Sequence, residues 1–353
     1  MSQSLALTCE ALKAQAHYFR SFEHLLELEL SGLSGDSRYE LNFSRLVKPD
    51  PFRLFDVDAN ADQPFMLGTD QRDYLVPLLA ARLDALTPGA RVLDLGSGDG
   101  QTTAAALHGR AKPLTLLPLD PADGALARYQ DHFASELPHI SVPETLVASI
   151  DDLLAGGVGG AGTAAALKEP LQMIVAIHSL YFSADLAGLL RFAHDRLPPR
   201  GKVVIVFAEC NGRFSGRLAE DYWREHPGSS GGDHAIGGDD LDRFFGVLDA
   251  AAGRAECEAA LRDRLGDDLF GVVDVTRQPS RLFGHDLGDI IAAGFLTSLS
   301  AADDDQLKHQ IHYVSQRLQA EPETFDLRLS LDGPRARMLS VAQPQIFIEL
   351  EKR

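Results

Sequence analysis

Hydrophobic residues recur along this chain first at helical and then at alternating strand and helix spacings. Between Thr69 and Leu86 they fall at Tyr74, Leu75, Leu78, Leu79 and Leu83, one face of a helix. Thr69 or Asp70 can cap that helix, and Pro88-Gly89 ends it. Short apolar runs then take over. Val92–Leu95 reads as a strand, Thr102–Leu107 as a helix, Leu114–Leu119 as a strand ending at Asp120, Gly124–Ala134 as a helix and Ile140–Val147 as a third strand. Leu171–Ile177 is a fourth strand, Asp185–Arg196 a helix and Lys202–Ala208 a fifth strand. Strands that alternate with helices predict an α/β, doubly wound, mostly parallel sheet covered on both faces.

The flanks are less regular. Residues 1 to about 35 place Leu5, Leu12, Phe19, Phe22, Leu25 and Leu28 at spacings that predict an amphipathic helix. Residues 35–68 are rich in turns and prolines and carry Phe43, Phe52, Phe55 and Phe65, which must be buried somewhere. Two stretches, 155–168 and 228–238, are rich in small residues and read as lids or flexible spacers. In the C-terminal third, Asp239-Asp240 starts a helix that runs through Leu248. Glu256–Leu261 and Gly271–Val275 look strand-like, Leu287–Leu296 and Asp303–Leu318 helical, and two apolar runs follow at Met338–Val341 and Ile346–Leu350.

Composition narrows the partners. The 353 residues, 45% of them hydrophobic, suffice for one large domain with additions. The 33 Lys and Arg against 51 Asp and Glu give a formal charge of −18. That balance argues against a nucleic acid or an anionic membrane surface, which need basic residues to neutralise phosphate. No apolar run approaches the roughly 18 residues of a membrane span. Cys9, Cys210 and Cys257 are scattered and odd in number, without metal-ligand spacing, as expected of a reducing, cytoplasmic setting. A small molecule is the expected partner.

The densest chemistry lies in Arg91-Val92-Leu93-Asp94-Leu95-Gly96-Ser97-Gly98-Asp99-Gly100. A strand ends in an acidic residue and opens into Gly96, Gly98 and Gly100 before a helix. Glycines let the backbone turn sharply and approach a ligand closely, and the helix start offers free N–H groups. The G-x-G-x-G spacing differs from the G-x-G-x-x-G of dinucleotide folds. Asp94 and Asp99 would repel a diphosphate and suit a ligand carrying sulfonium and ammonium charge. Asp120, at the end of the second strand, reads as an acceptor for ribose hydroxyls or as a cap for the helix that Pro121 starts. After the third strand, Ser149 and Ile150 could meet an adenine ring, and Ser149 could equally cap a helix. In open parallel sheets, ligands bind beyond these strand ends.

Together these features, over roughly residues 70–210, resemble the class I S-adenosylmethionine-dependent methyltransferases. That resemblance implies a seven-stranded Rossmann-like sheet, a methyltransferase domain over 69–353, and an N-terminal segment, 1–68, that caps the acceptor pocket. It implies S-adenosyl-L-methionine as methyl donor, S-adenosyl-L-homocysteine as product, and Asp94, Gly96, Ser97, Gly98, Gly100, Asp120, Pro121, Ser149, Ile150 and Ile177 as cofactor residues. A narrower likeness begins at Ile174-Val175-Ala176-Ile177-His178-Ser179-Leu180-Tyr181-Phe182. With Ala127-Arg128-Tyr129, Tyr222-Trp223, Gly288-Asp289 and Ile346–Leu350, it resembles the histamine N-methyltransferase family. By that likeness Ile177 touches the cofactor, His178 faces the acceptor as orienter or base, Tyr181, Phe182 and Trp223 wall the pocket, and Asp70 anchors the substrate. The family's pocket glutamine is His178 here, and its C-terminal asparagine falls near Val341, with Gln343 and Gln345 close by. The expected acceptor is therefore a small amine or heteroaromatic other than histamine. O-methylation of a carboxylate or phenol, and a cofactor-binding protein without turnover, stand as alternatives.

Overall fold

The computed structural model describes residues 4–6, 67–156, 167–180, 183, 185–209, 218, 221–222, 224–226, 253–266, 268–284, 287–290, 304–332 and 335–353. The chain divides into two compact units. One comprises Met1–Gln71, Glu209–Ala235 and Pro279–Pro344, and the other Arg72–Ala208, Ile236–Gln278 and Gln345–Arg353.

The larger sheet belongs to the second unit. In chain order its strands are β3 (Arg91–Leu95), β4 (Thr115–Asp120), β5 (Leu146–Val147), β6 (Met173–Ile177), β7 (Lys202–Ala208), β8 (Phe270–Gln278) and β12 (Gln345–Lys352). Their spatial order is β5-β4-β3-β6-β7-β12-β8. Neighbours from β5 to β7 are parallel, and β12 runs antiparallel to both β7 and β8. This is the mostly parallel sheet that the alternation of elements predicts, with the seven strands that the resemblance implies.

Between the strands run α1 (Gln71–Asp84), α2 (Gln101–Leu107), α3 (Asp123–Glu136), α4 (Ile150–Leu154), α5 (Leu186–Arg196) and α6 (Arg254–Leu265). Leu75, Leu79 and Leu83 of α1, Ala104 and Leu107 of α2, and Tyr129 and Phe133 of α3 form one core with Val92, Leu116, Val175, Val204 and Phe347. Leu93, Leu95, Leu117, Leu119, Ile174 and Ala176, which alternate with those strand positions, are buried as well. Burial on both faces explains why these strands read as continuous apolar runs. Arg82 of α1 reaches Glu349 of β12 at 2.7 Å and Asp274 of β8 at 2.6 Å, with its guanidinium over the Phe347 ring. Lys202 also pairs with Glu349, so the buried carboxylate is fully compensated.

The third strand is shorter than its apolar run. Only Leu146–Val147 pairs with β4, plus a single bridge from Ser141 to Thr115. Pro143 interrupts the run, since it has no N–H to give a ladder. The same gap accommodates Pro118 inside β4. The Leu116 N–H points to Ser141 on this side of β4, so the position of the missing Pro118 N–H faces the unpaired stretch.

Glu256–Leu261, which looks strand-like in sequence, is helical, within α6. Cys257, Leu261 and Leu265 are its buried positions, a period of four, and Gly266 ends it at φ 72 in the left-handed region. The Ala, Glu, Leu and Arg content of this stretch favours a helix.

The first unit holds a five-stranded antiparallel sheet ordered β1-β10-β11-β9-β2: β1 (Ser4–Ala6), β2 (Leu67–Thr69), β9 (Arg281–Gly284), β10 (Arg328–Ser330) and β11 (Leu339–Ala342). Ser4–Ala6 is thus strand where the sequence pattern predicts helix, because its backbone pairs with Arg328–Ser330. The predicted helices at 239–248 and beyond Ile290, most of the N-terminal helix, and the stretches 157–166 and 228–238 lie outside the described residues. The helix predicted at Asp303–Leu318 is α7 (Asp304–Ala320). No described helix is long and apolar enough to cross a membrane.

Candidate active site

The carboxyl ends of β3, β4, β5 and β6 converge on one edge of the larger sheet, together with the first residue of the antiparallel β12. The loop after β3 is built almost wholly from backbone. Gly96, Gly98 and Gly100 take φ of 60, 54 and 77°, a region closed to most side chains. A Cβ on Gly96 would lie 2.2 Å from Ser179 Cβ, and one on Gly100 would lie 2.5 Å from the Tyr129 ring. Conformation and space both therefore demand glycine at these two positions. The loop is pinned to the end of β4. The Ser97 N–H donates to Leu119 O at 3.1 Å, and the Gly98 N–H donates to Asp120 Oδ2 at 2.9 Å.

Asp120 is almost fully buried, 1% exposed. Its other oxygen, Oδ1, accepts the Ala122 N–H at 2.9 Å and so sets the turn into α3. The carboxylate therefore orients the glycine loop and the following helix together. Pro121 lies exposed in that turn.

Asp94 lies beneath the loop on the same face of the sheet. Its Oδ2 accepts from Thr103 Oγ1 at 2.8 Å and from the Tyr129 hydroxyl at 3.2 Å. Burial pushes its carboxyl up from 3.8 to about 6; those two hydrogen bonds pull against the shift, and the neighbouring Asp120 charge adds to it. Burial, followed by the charge of Asp94, raises the Tyr129 hydroxyl well above its usual range.

After β5, Ser149 is the N-cap of α4. Its Oγ accepts the Asp152 N–H at 3.0 Å and donates to Asp152 Oδ2 at 2.6 Å, while the Ser149 N–H donates to the same oxygen at 3.1 Å. These bonds hold the exposed Asp152 carboxyl below its usual value. Ile150 is buried behind the cap.

After Ile177, at the end of β6, His178 takes φ 53, and its N–H donates to Val206 O at 2.8 Å. Its Nε2 lies 3.2 Å from Gln345 Oε1. Ser179 follows and packs against Gly96. The sequence pattern gives Ser179, Thr103 and Gln345 no role at this edge; the closeness of Gly96 to Ser179 and the length of β12 bring them there.

Asp70 lies in the first unit and is 6% exposed. Its Oδ1 accepts the Arg281 N–H at 2.6 Å, and its Oδ2 is 3.3 Å from Arg335 Nη1. The N–H of Gln71, the first residue of α1, donates to Thr69 Oγ1 at 3.1 Å. Tyr181, Phe182 and Trp223 lie outside the described residues. The same unit contains a cavity of about 300 Å³ lined in part by His226, His309, His312, Tyr313 and Arg317. His309 and His312 stand one turn apart on α7, and His226 comes from a separate segment.

At one edge of a mostly parallel sheet with a reversed strand beside β7 thus stand a three-glycine loop after β3 and a buried aspartate ending β4. Residues 68–234 match the family model described as "Methyltransferase domain". The sequence has no match among curated proteins. Solved structures similar to the chain include an S-adenosylmethionine-dependent methyltransferase from Geobacter sulfurreducens in complex with S-adenosyl-L-homocysteine, 16% identical, covering 80% of this chain and 91% of that one at TM-score 0.38. The N-methyltransferase NodS from Bradyrhizobium japonicum WM9 is 11% identical and covers 80% of this chain and 94% of that one at TM-score 0.37.

The edge fits S-adenosylmethionine as cofactor. In Gly96–Gly100 every second residue is a glycine in the left-handed region. Ser97 Oγ and Ser179 Oγ are shielded from solvent and have no hydrogen-bond partner among the described residues. Such groups cost about 1–3 kcal/mol each until a partner is supplied.

Proposed function

We propose that this protein methylates a nitrogen of a small amine or heteroaromatic metabolite, and that His178 orients that acceptor and takes its proton. The observation carrying this reading is the placement of His178. A non-glycine residue is held in the left-handed region at the end of β6, one residue from the serine that abuts the glycine loop. Strained backbone of this kind concentrates at functional sites. The acidic balance and the scattered cysteines support a cytoplasmic setting.

S-adenosylmethionine, when bound, supplies a methyl group already activated on a sulfonium. The protein's part is then mainly proximity and orientation. We assign cofactor binding to Asp94, Gly96, Ser97, Gly98, Gly100, Asp120, Pro121, Ser149, Ile150 and Ile177. Asp120 ends β4 beside the glycine loop, where a carboxylate suits a ribose diol. Ser149 Oγ has one acceptor position beyond its cap bonds, enough for an adenine amino group.

Asp120→Ala is expected to weaken S-adenosylmethionine binding by about 1.5–3 kcal/mol, roughly 10- to 150-fold, the range for hydrogen bonds to a charged group. Titration calorimetry on the folded variant reads this, and unchanged affinity would remove Asp120 from the site. His178→Ala is expected to lower methyl transfer at least tenfold with cofactor affinity nearly intact. Transfer assays on a panel of amines, imidazoles, phenols and carboxylic acids identify the acceptor atom. Methylation confined to oxygen acceptors, or none at all with cofactor bound, would overturn the nitrogen assignment.

A further inference from the structure

Two shielded hydroxyls at the glycine loop stand without a bond. Ser97 follows β3 and Ser179 follows β6, and these strands are parallel neighbours. Ser179 is 5% exposed. Neither Oγ has a hydrogen-bond partner among the described residues. Buried polar groups are normally bonded, so each exception asks for a cause.

Packing does not supply one. At Ser179 the contact with the loop is made by carbon. The Cβ that Gly96 lacks would lie 2.2 Å from Ser179 Cβ and 3.2 Å from its Oγ. An alanine would fill the same space against Gly96. The Ser97 hydroxyl is not needed to hold the loop either. The Ser97 N–H donates to Leu119 O at 3.1 Å, and Ser97 O accepts the Gly100 N–H at 3.1 Å. Both hydroxyls thus lie at the carboxyl edge of the parallel strands, where open sheets of this kind bind ligands.

Strand order indicates which part of a ligand reaches them. Neighbours run β5, β4, β3, β6, at a spacing of about 4.8 Å. The proposed adenine contact, Ser149, follows β5, and the proposed ribose contact, Asp120, ends β4. A cofactor laid in that direction brings its remaining part, the α-amino-acid arm, over β3 and β6. That arm carries an ammonium and a carboxylate. A serine hydroxyl can accept from the first or donate to the second.

We propose that Ser179 is a further cofactor-binding residue, whose hydroxyl, together with that of Ser97, bonds the α-amino-acid end of S-adenosylmethionine. The proposal rests on the cofactor assignments made above for Ser149 and Asp120. It has a consequence for the empty protein. A hydroxyl that gains its bond only from the ligand costs stability while the ligand is away. Ser179 therefore trades stability of the free chain for affinity, and its removal moves the two in opposite directions.

Ser179→Ala in the full-length protein tests this without reference to turnover. In the ligand-free variant the urea midpoint is expected to rise by about 0.3–1 M. Titration calorimetry is expected to show S-adenosyl-L-homocysteine bound about tenfold or more weakly than by the parent. Methylthioadenosine has the same nucleoside and thioether without the amino-acid end, and its affinity is expected to change little. A lowered midpoint would mean that the hydroxyl already holds a bond in the free chain, and would overturn the proposal. So would unchanged affinity for S-adenosyl-L-homocysteine, or an equal loss for both ligands, which would move the contact away from the amino-acid arm. A parent protein that binds neither ligand would overturn the cofactor assignments themselves, and the role of Ser179 with them.

Discussion

Gly96→Ala is expected to destabilise the protein by about 2–5 kcal/mol: roughly 1–3 from forcing a methyl into filled space and about 1–2 from a left-handed residue with a Cβ. The added carbon would meet Ser179 Cβ at 2.2 Å, with φ at 60°. Urea unfolding should show a lower midpoint with an unchanged slope. The two causes can be separated. Ser179→Gly in the same chain removes the atom that is struck and is expected to restore the 1–3 kcal/mol of packing cost, leaving the conformational cost. A single variant within about 0.5 kcal/mol of the parent would show that the loop does not take this course. Against a total stability of about 5–15 kcal/mol, the loss is large enough to reduce the folded population on its own.

The second large effect is on pH dependence. Asp94 has its folded pKa raised from 3.8 to about 6. Below about pH 4 the carboxyl is protonated in both folded and unfolded chains, and its burial carries no charge penalty. Between about pH 4 and 6 the folded protein retains a proton that the unfolded chain has released, so stability falls as pH rises. Above about pH 6 the loss is complete, at about 3 kcal/mol for this group. Asp94→Asn keeps an oxygen for Thr103 and cannot ionise. It is expected to flatten the fall in stability between about pH 4.5 and about pH 7.5 by about 2 kcal/mol relative to the parent, the rest of the loss lying below pH 4.5, measured by urea unfolding at both values. A variant that falls as steeply as the parent would show that Asp94 ionises freely in the folded state.

The parallel half of the sheet was legible because burial on both faces leaves a simple trace, a short apolar run closed by a polar turn. Lys202–Ala208 is read from sequence with its observed bounds. Reading failed where a local pattern competes with a longer one. Glu256–Leu261 is too short to show its four-residue period, which appears only when it is extended to Leu265. Ile140–Val147 is apolar enough for a strand, but one proline decides how much of it can pair. Short strands such as Arg328–Ser330 carry almost no pattern, since three residues are too few to show alternation.

The candidate site divides the same way. Gly96, Gly98, Gly100 and Asp120 announce themselves because the backbone conformation they support is rare and their spacing is fixed. Ser149 does not resolve from sequence, since a helix cap and a ligand contact call for the same side chain. Gln345 carries no local signal at all. It meets His178 only through strand register, which a linear reading of the chain does not contain.

The place of β12 has a consequence for how the larger sheet is made. It lies between β7 and β8, yet both partners are synthesised before it, and the whole stretch from Glu209 to Pro344 separates it from β7. Until β12 arrives, two strands wait with unsatisfied edges, each a template for pairing with another chain. Closing so long a loop delays that contact and raises the mean sequence separation that slows folding. The last strand inserted lies one place in from the rim, so until it pairs β7 is an edge strand and β8 has no neighbour in the sheet.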